Sequence, residues 1–187
     1  MAIAKAPSSN DLQSTLARDW AFQVNTGTAD DEKWTFVRGL SKFAPNKKPG
    51  MKDDSDIDSE GYSSQIATTL EMTFEGEGKR KGKNASGAFT QDPGQAFLRS
   101  KGGQMGFENI VQARCWRTDG VDDGYAGAFS VEWSDEAGGN EDLDEFKFTL
   151  MSRGKPERIK PVESADGPSV PWDEDDNGTE PTDPENP

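Results

Sequence analysis

Four acidic residues at every second position, Asp54, Asp56, Asp58 and Glu60, come nearest to a ligand-binding motif in this sequence. Alternating oxygen ligands can wrap a calcium ion, but such a loop also needs glycine at its sixth position and a bidentate glutamate at its twelfth. Ser59 and Gln65 stand there instead, so these carboxylates read as a solvated loop. The run Gly76-Glu77-Gly78-Lys79-Arg80-Lys81-Gly82-Lys83 has the look of a phosphate cradle. A P-loop would need glycine where Glu77 stands and Ser or Thr where Asn84 stands; a dinucleotide loop would need glycine at Lys81. A basic hairpin tip fits better. The chain has no histidine, which removes Ser-His, Cys-His and His-metal chemistry together. Its one cysteine, Cys115, lies in the apolar-rich run Val111–Trp116 and reads as a buried small hydrophobe. Acids are so abundant that no carboxylate pair singles itself out for glycoside cleavage. The sequence therefore predicts no catalytic residue, no metal site and no cofactor.

Charge is distributed unevenly. The 187 residues hold 35 acids and 21 bases, a net of −14. Nine acids follow Lys160, where no Lys or Arg occurs; removing them leaves 26 acids against 21 bases, or −5, for residues 1–160. Such a balance argues against tight nucleic-acid binding, which draws on Lys and Arg neutralising phosphates. No stretch approaches 18 consecutive apolar residues, so no membrane helix is expected. The start lacks the apolar segment of a secretory signal, which predicts folding in a cytoplasm. Hydrophobic residues make up 31%, low for a freestanding domain. A core that thin suits a protein that completes its burial against copies of itself.

The elements that must carry these features are mostly strands. Residues 1–17 read as an arm with one helical turn. Trp20, Phe22 and Val24 alternate with Ala21, Gln23 and Asn25, the period of a half-buried strand. Trp34–Val37 forms a second aromatic and β-branched run. Residues 41–64, with two prolines, glycines, lysines and acids, predict a long polar loop, unusual in a compact domain and usually functional or disordered. Gln65–Phe74 alternates again, placing Ile66, Thr68, Leu70, Met72 and Phe74 together, until the glycine-rich run breaks it. Asp92 as cap, Pro93 in the first turn and Gly102-Gly103 at the end predict one helix. Strands are expected over 109–118, 125–133 and 143–151, joined by Asp/Gly/Asn-rich turns, with a short last strand at 158–160. After Pro161 the composition turns to Pro, Asp, Glu, Gly and Thr, and predicts a mobile or draped extension in which only Trp172 could anchor. The expected architecture is an antiparallel β-sandwich or barrel with one flanking α-helix.

Two segments carry a resemblance. Asp19–Gly27 followed by Trp34–Leu40 resembles the opening strand pair of siphophage major tail tube proteins, and Asp53–Gln65 resembles the loop and strand re-entry that follow there. The likeness is clearest over residues 18–80; from 81 to 160 only the element order agrees. It implies a β-sandwich protomer with one helix, six copies closing a ring, and rings stacking into a hollow tube. DNA would pass through the lumen without specific binding. The partners implied are the protein itself and the tail tip or baseplate, tape measure and tail terminator proteins, in a virion assembled in the host cytoplasm.

The domain plan is then an arm (1–17), a β domain (18–160) and an acidic extension (161–187) expected to lie outside the tube and to be dispensable for it. Contacts between subunits or rings are expected from the long loop, through Lys47, Lys48, Met51, Asp54, Asp56, Ile57, Asp58 and Tyr62, and from Leu12 and Leu16 in the arm. Two other functions compete. A carbohydrate- or receptor-binding sandwich would expose several of its five tryptophans as a platform. A terminator or decoration protein would form single rings or trimers instead of tubes.

Overall fold

The computed structural model describes residues 13–58, 60–85, 87–136 and 138–172. Along them run β1 (Trp20–Asn25), β2 (Trp34–Phe36), β3 (Leu40–Asp53), β4 (Gln65–Lys79), β5 (Gly82–Ala85), β6 (Ala88–Gln91), helix α1 (Pro93–Gly102), β7 (Ile110–Arg117), β8 (Gly124–Glu136), β9 (Glu145–Ser152) and β10 (Glu157–Arg158). A 3-10 turn at Ala17–Asp19 leads into β1; residues 1–12 of the arm in which a helical turn is expected lie outside the described residues. One antiparallel sheet runs in the order β2-β1-β7-β8-β9-β4-β3, and β10 joins it on β8; β5 and β6 form a separate hairpin. The mainly antiparallel β fold with one flanking helix is the architecture the alternation implied.

The sheet curls until its two ends face each other across the core. Phe22 of β1 stacks 4.9 Å from Phe43 of β3, although no ladder joins those strands, and 5.4 Å from Phe148 of β9. Phe74 of β4 lies 4.3 Å from Phe129 of β8. This aromatic cluster, with Val24, Val111, Leu98 and Leu150, makes up the interior. Cys115 is buried there, as its neighbours suggested, and burial pushes its thiol pKa well up.

The glycine-rich run does not end its strand at Phe74. β4 continues to Lys79 because Gly76 and Gly78 pair with Phe148 and Phe146 of β9, whose rings lie over the bare Cα positions. A Cβ at Gly76 would sit 2.4 Å from the Phe148 ring. Here glycine makes room for a cross-strand aromatic instead of breaking the ladder.

Helix α1 starts as expected: the Asp92 carboxylate accepts from the Gln95 backbone N–H at 3.3 Å and from Arg38 Nε at 2.6 Å. The buried Gln95 side chain donates to the Arg38 and Lys79 carbonyls and accepts from the Lys81 N–H. Helix, β2–β3 turn and the end of β4 are thereby fastened together.

Residues 41–64 are not the expected loop. Residues 40–53 form β3, paired with β4 from Leu40↔Gly78 to Asp53↔Gln65, and only 54–64 connect the two strands. Lysines and prolines hid this strand, because they are the residues of a blunted sheet edge, where an absent N–H costs nothing. A register shift between Gly50 and Met51 also breaks the alternation read for β4.

The extension after Lys160 belongs to the fold as far as Trp172. Ile159 is buried and bridges Pro171, and the Trp172 N–H donates to the Arg158 carbonyl at 2.9 Å. Residues 165–169 cross the outer face of β1 and β7 and are held by Arg114. Its guanidinium donates to Gln23 Oε1 (2.8 Å), the Gly167 carbonyl (2.7 Å), the Ala165 carbonyl (3.1 Å) and Ser169 Oγ (3.3 Å). It also stacks 4.1 Å from the Trp34 ring. Burial lowers its pKa to about 10, opposed by the charges of Glu32 and Asp166. A buried cation is tolerated when its N–H groups are matched, and this segment provides three of the four acceptors. The outer face of β1, which alternation assigned to solvent, is therefore covered.

Candidate assembly surface

The hairpin β3–β4 has two halves. From Lys79 back to Thr73, β4 lies between β3 and β9; from Met72 to Gln65 it has β3 alone. The distal half is a two-stranded ribbon standing clear of the body; beyond Met72, whose N–H still donates to Ser152 Oγ at 3.1 Å, neither outer backbone edge pairs with another strand among the described residues. Its apolar side chains are uncovered: Leu70 is 68% exposed and Ile66 53%, whereas Met72 and Phe74 are buried. An isolated two-stranded ribbon is marginal in water. Apolar side chains and open edges together make an unfinished surface.

The residues expected to make contacts fall on this ribbon and its tip. Lys47, Lys48 and Met51 pair with Met72, Glu71 and Ala67. Lys47 turns toward the body, its Nζ 4.6 Å from the centre of the Tyr125 ring. Burial raises the Tyr125 pKa, and Lys47 partly offsets this. Asp54, Asp56, Ile57, Asp58 and Tyr62 lie in the connection, with Ile57 and Tyr62 largely exposed. The acidic side chains build the turn. Asp53 Oδ1 accepts from the Ser55 N–H at 2.8 Å and Asp56 Oδ1 from the Asp58 N–H at 3.0 Å, the local bonding expected of aspartate in turns. Leu16 is exposed just before the 3-10 turn, away from the ribbon in sequence; Leu12 lies outside the described residues.

At its root the ribbon diverges from the body and opens a cleft of about 980 Å³. Lys47, Leu70 and Met72 form one wall; Tyr125, Lys155, Arg158 and Trp172 form the other. Neither the cleft nor the Arg114 clamp was read from the sequence. The available signal for the clamp was an arginine inside the apolar run 111–116, at the strand parity opposite to Ala113 and Cys115.

The tryptophans form no platform. Trp116 is buried, and Trp20, Trp34, Trp133 and Trp172 are half-buried. Each is engaged: Trp20 with Phe43, Trp133 with Phe146, and Trp34 and Trp172 under Arg114 and Arg158.

The class this geometry defines is an antiparallel β-sandwich with a flanking helix and a protruding edge ribbon. Two solved structures are similar to this chain in overall fold. One is a chain in the tail of an empty gene transfer agent particle, computed with helical refinement in C6 symmetry. Its TM-score is 0.55 at 13% identity, covering 78% of this chain and 98% of that one. The other is a chain in the virion of a native gene transfer agent particle, with a TM-score of 0.54 at 13% identity, covering 76% and 97%. At that identity the likeness is one of fold. No protein-family model and no curated protein sequence matches the chain.

Proposed function

We propose that this protein is a structural subunit of a phage-type tail, and specifically the tube subunit of a long non-contractile tail. In this reading copies close into hexameric rings that stack into the conduit for DNA ejection. The observation that carries it is the distal half of β3–β4: a ribbon with uncovered Leu70 and Ile66 and open edges on both sides, which a neighbouring copy can complete. Lys42, Lys47, Lys48 and Lys52 make β3 a basic element in a chain of net charge −14. The ribbon of one copy meeting the body of the next is a heterologous contact, which closes rings when the rotation permits. The fold likeness to a tail chain in a C6-symmetric particle supports the same reading. Duplex DNA would slide through such a tube, since its acidic subunits offer phosphates little to hold. The tail tip, tape measure and terminator would be its other partners, in the virion.

Negative-stain microscopy of concentrated protein, with and without a nucleating tail-tip complex, tests this. Hollow rods with a regular axial repeat are expected, and Leu70→Lys should abolish them while leaving a folded monomer. A wild-type chain that stayed monomeric with the tip complex present would overturn the proposal. Single rings or trimers would point to a terminator or decoration protein instead.

A further inference from the structure

The chain leaves its last described residue, Trp172, inside the cleft at the root of the ribbon. Three cations face that space. Lys47 comes from the ribbon; Lys155 and Arg158 come from the body. Arg158 lies 4.7 Å from the Trp172 ring and donates to the Asp122 carbonyl, and Lys47 lies over Tyr125. Among the described residues none of the three meets a carboxylate at ion-pair distance. Glu157 lines the same cleft, leaving the wall net positive. The fifteen residues that continue from Trp172 hold seven carboxylates (Asp173, Glu174, Asp175, Asp176, Glu180, Asp183, Glu185) and no base.

We propose that the acidic segment 173–187 seats on the basic wall of this cleft in its own chain and shields the ribbon until assembly displaces it. Charge complementarity selects the occupant, and the point of exit selects the same chain over a second copy. A segment tethered at the cleft acts at an effective concentration of the order of millimolar. Fifteen residues reach up to ~50 Å when extended, ample to follow the ribbon past Lys47. Exposed ion pairs are individually weak and screened by salt, so the shield holds as a group and gives way to a neighbour that buries Leu70. Unassembled subunits would thus resist pairing by their ribbons before a tail tip starts the tube. The shielding role rests on the ribbon being the assembly surface; the seating itself does not.

The test compares the full chain with a full-length variant in which all seven carboxylates are neutralised (Asp→Asn, Glu→Gln). Zero-length carbodiimide coupling of dilute monomer, followed by peptide mass spectrometry, should link residues 173–187 to Lys47 or Lys155 within one chain. Those links should fall at least several-fold in about 0.5 M salt, where screening shortens the Debye length to a few ångströms. Acylation of Lys47 and Lys155 should be several-fold faster in the neutralised variant, and its polymerisation lag shorter. Absence of intrachain links, or equal acylation rates, overturns the seating. Links accompanied by unchanged lag overturn the shielding. If neither protein polymerises with a tail tip present while the links form, the tail-tube reading fails and the seating stands.

Discussion

Strand β4 lives in two environments, and the contrast shows where this molecule is complete and where it is not. Between Thr73 and Lys79 its backbone is paired on both sides, and Phe74, Gly76 and Gly78 meet rings from β8 and β9. Between Gln65 and Glu71 the same strand has one partner, and every side chain is exposed. One half is held by close packing; the other has little to hold it except β3. Apolar residues kept in water beside open edges are a liability in a monomer and an asset in a polymer.

Substitutions on either side of Thr73 should separate the two halves. The largest effect belongs to the body: Phe148→Ala removes a ring that stacks on Phe22 and covers Gly76, and should cost about 3–5 kcal/mol in denaturant unfolding. Next is the clamp that covers the outer face of β1. Arg114→Leu leaves Gln23 Oε1 and the Gly167 carbonyl without their donor, while the Ala165 carbonyl keeps its bond from Gln23 Nε2, and should cost about 1–3 kcal/mol. Faster proteolysis between Lys160 and Trp172 would accompany it; unchanged proteolysis would mean that Ile159 and Trp172 hold the segment unaided.

A smaller effect is expected at Asp135, whose carboxyl accepts from the Trp133 indole and from Arg99. The indole bond, then Arg99, holds its pKa below the ordinary 3.8. Because the folded value is the lower one, this contribution is present above about pH 4 and is lost as pH falls through the folded pKa. Asp135→Asn should therefore flatten the acid limb of the stability curve, by less than about 1 kcal/mol for a group this exposed. Smallest of all is Leu70→Ser, within about 0.5 kcal/mol on monomer stability, yet it should eliminate rods under the microscope. A large loss of monomer stability from Leu70→Ser would erase the distinction between the two halves of β4.

Local rules made much of the body legible. Period-two alternation located β1, β7, β8 and β9 because each has one face in the core, and Asp92, Pro93 and Gly102 bracketed α1 because helix ends have local chemical needs. The expected contact residues on the ribbon and its connection could be named individually, but not the shape that presents them. β3 was hidden because an edge strand buries little and carries the Lys and Pro that otherwise mark loops. Alternation ended β4 at Phe74 because only its neighbour β9 gives Gly76 and Gly78 their purpose.

The sequence by itself determined a thin-cored antiparallel β protein without histidine chemistry, one capped helix and a strongly acidic C-terminal end. Those follow from composition and from spacings of a few residues, which act wherever the chain goes. Tertiary structure alone decided that residues 40–53 pair as a ribbon, that Arg114 draws residues 165–169 over β1, and that Trp172 closes a cleft beside Lys47. Each of these joins residues tens of positions apart. Such contacts depend on which surfaces the folded sheet leaves uncovered, and local patterning carries no record of that.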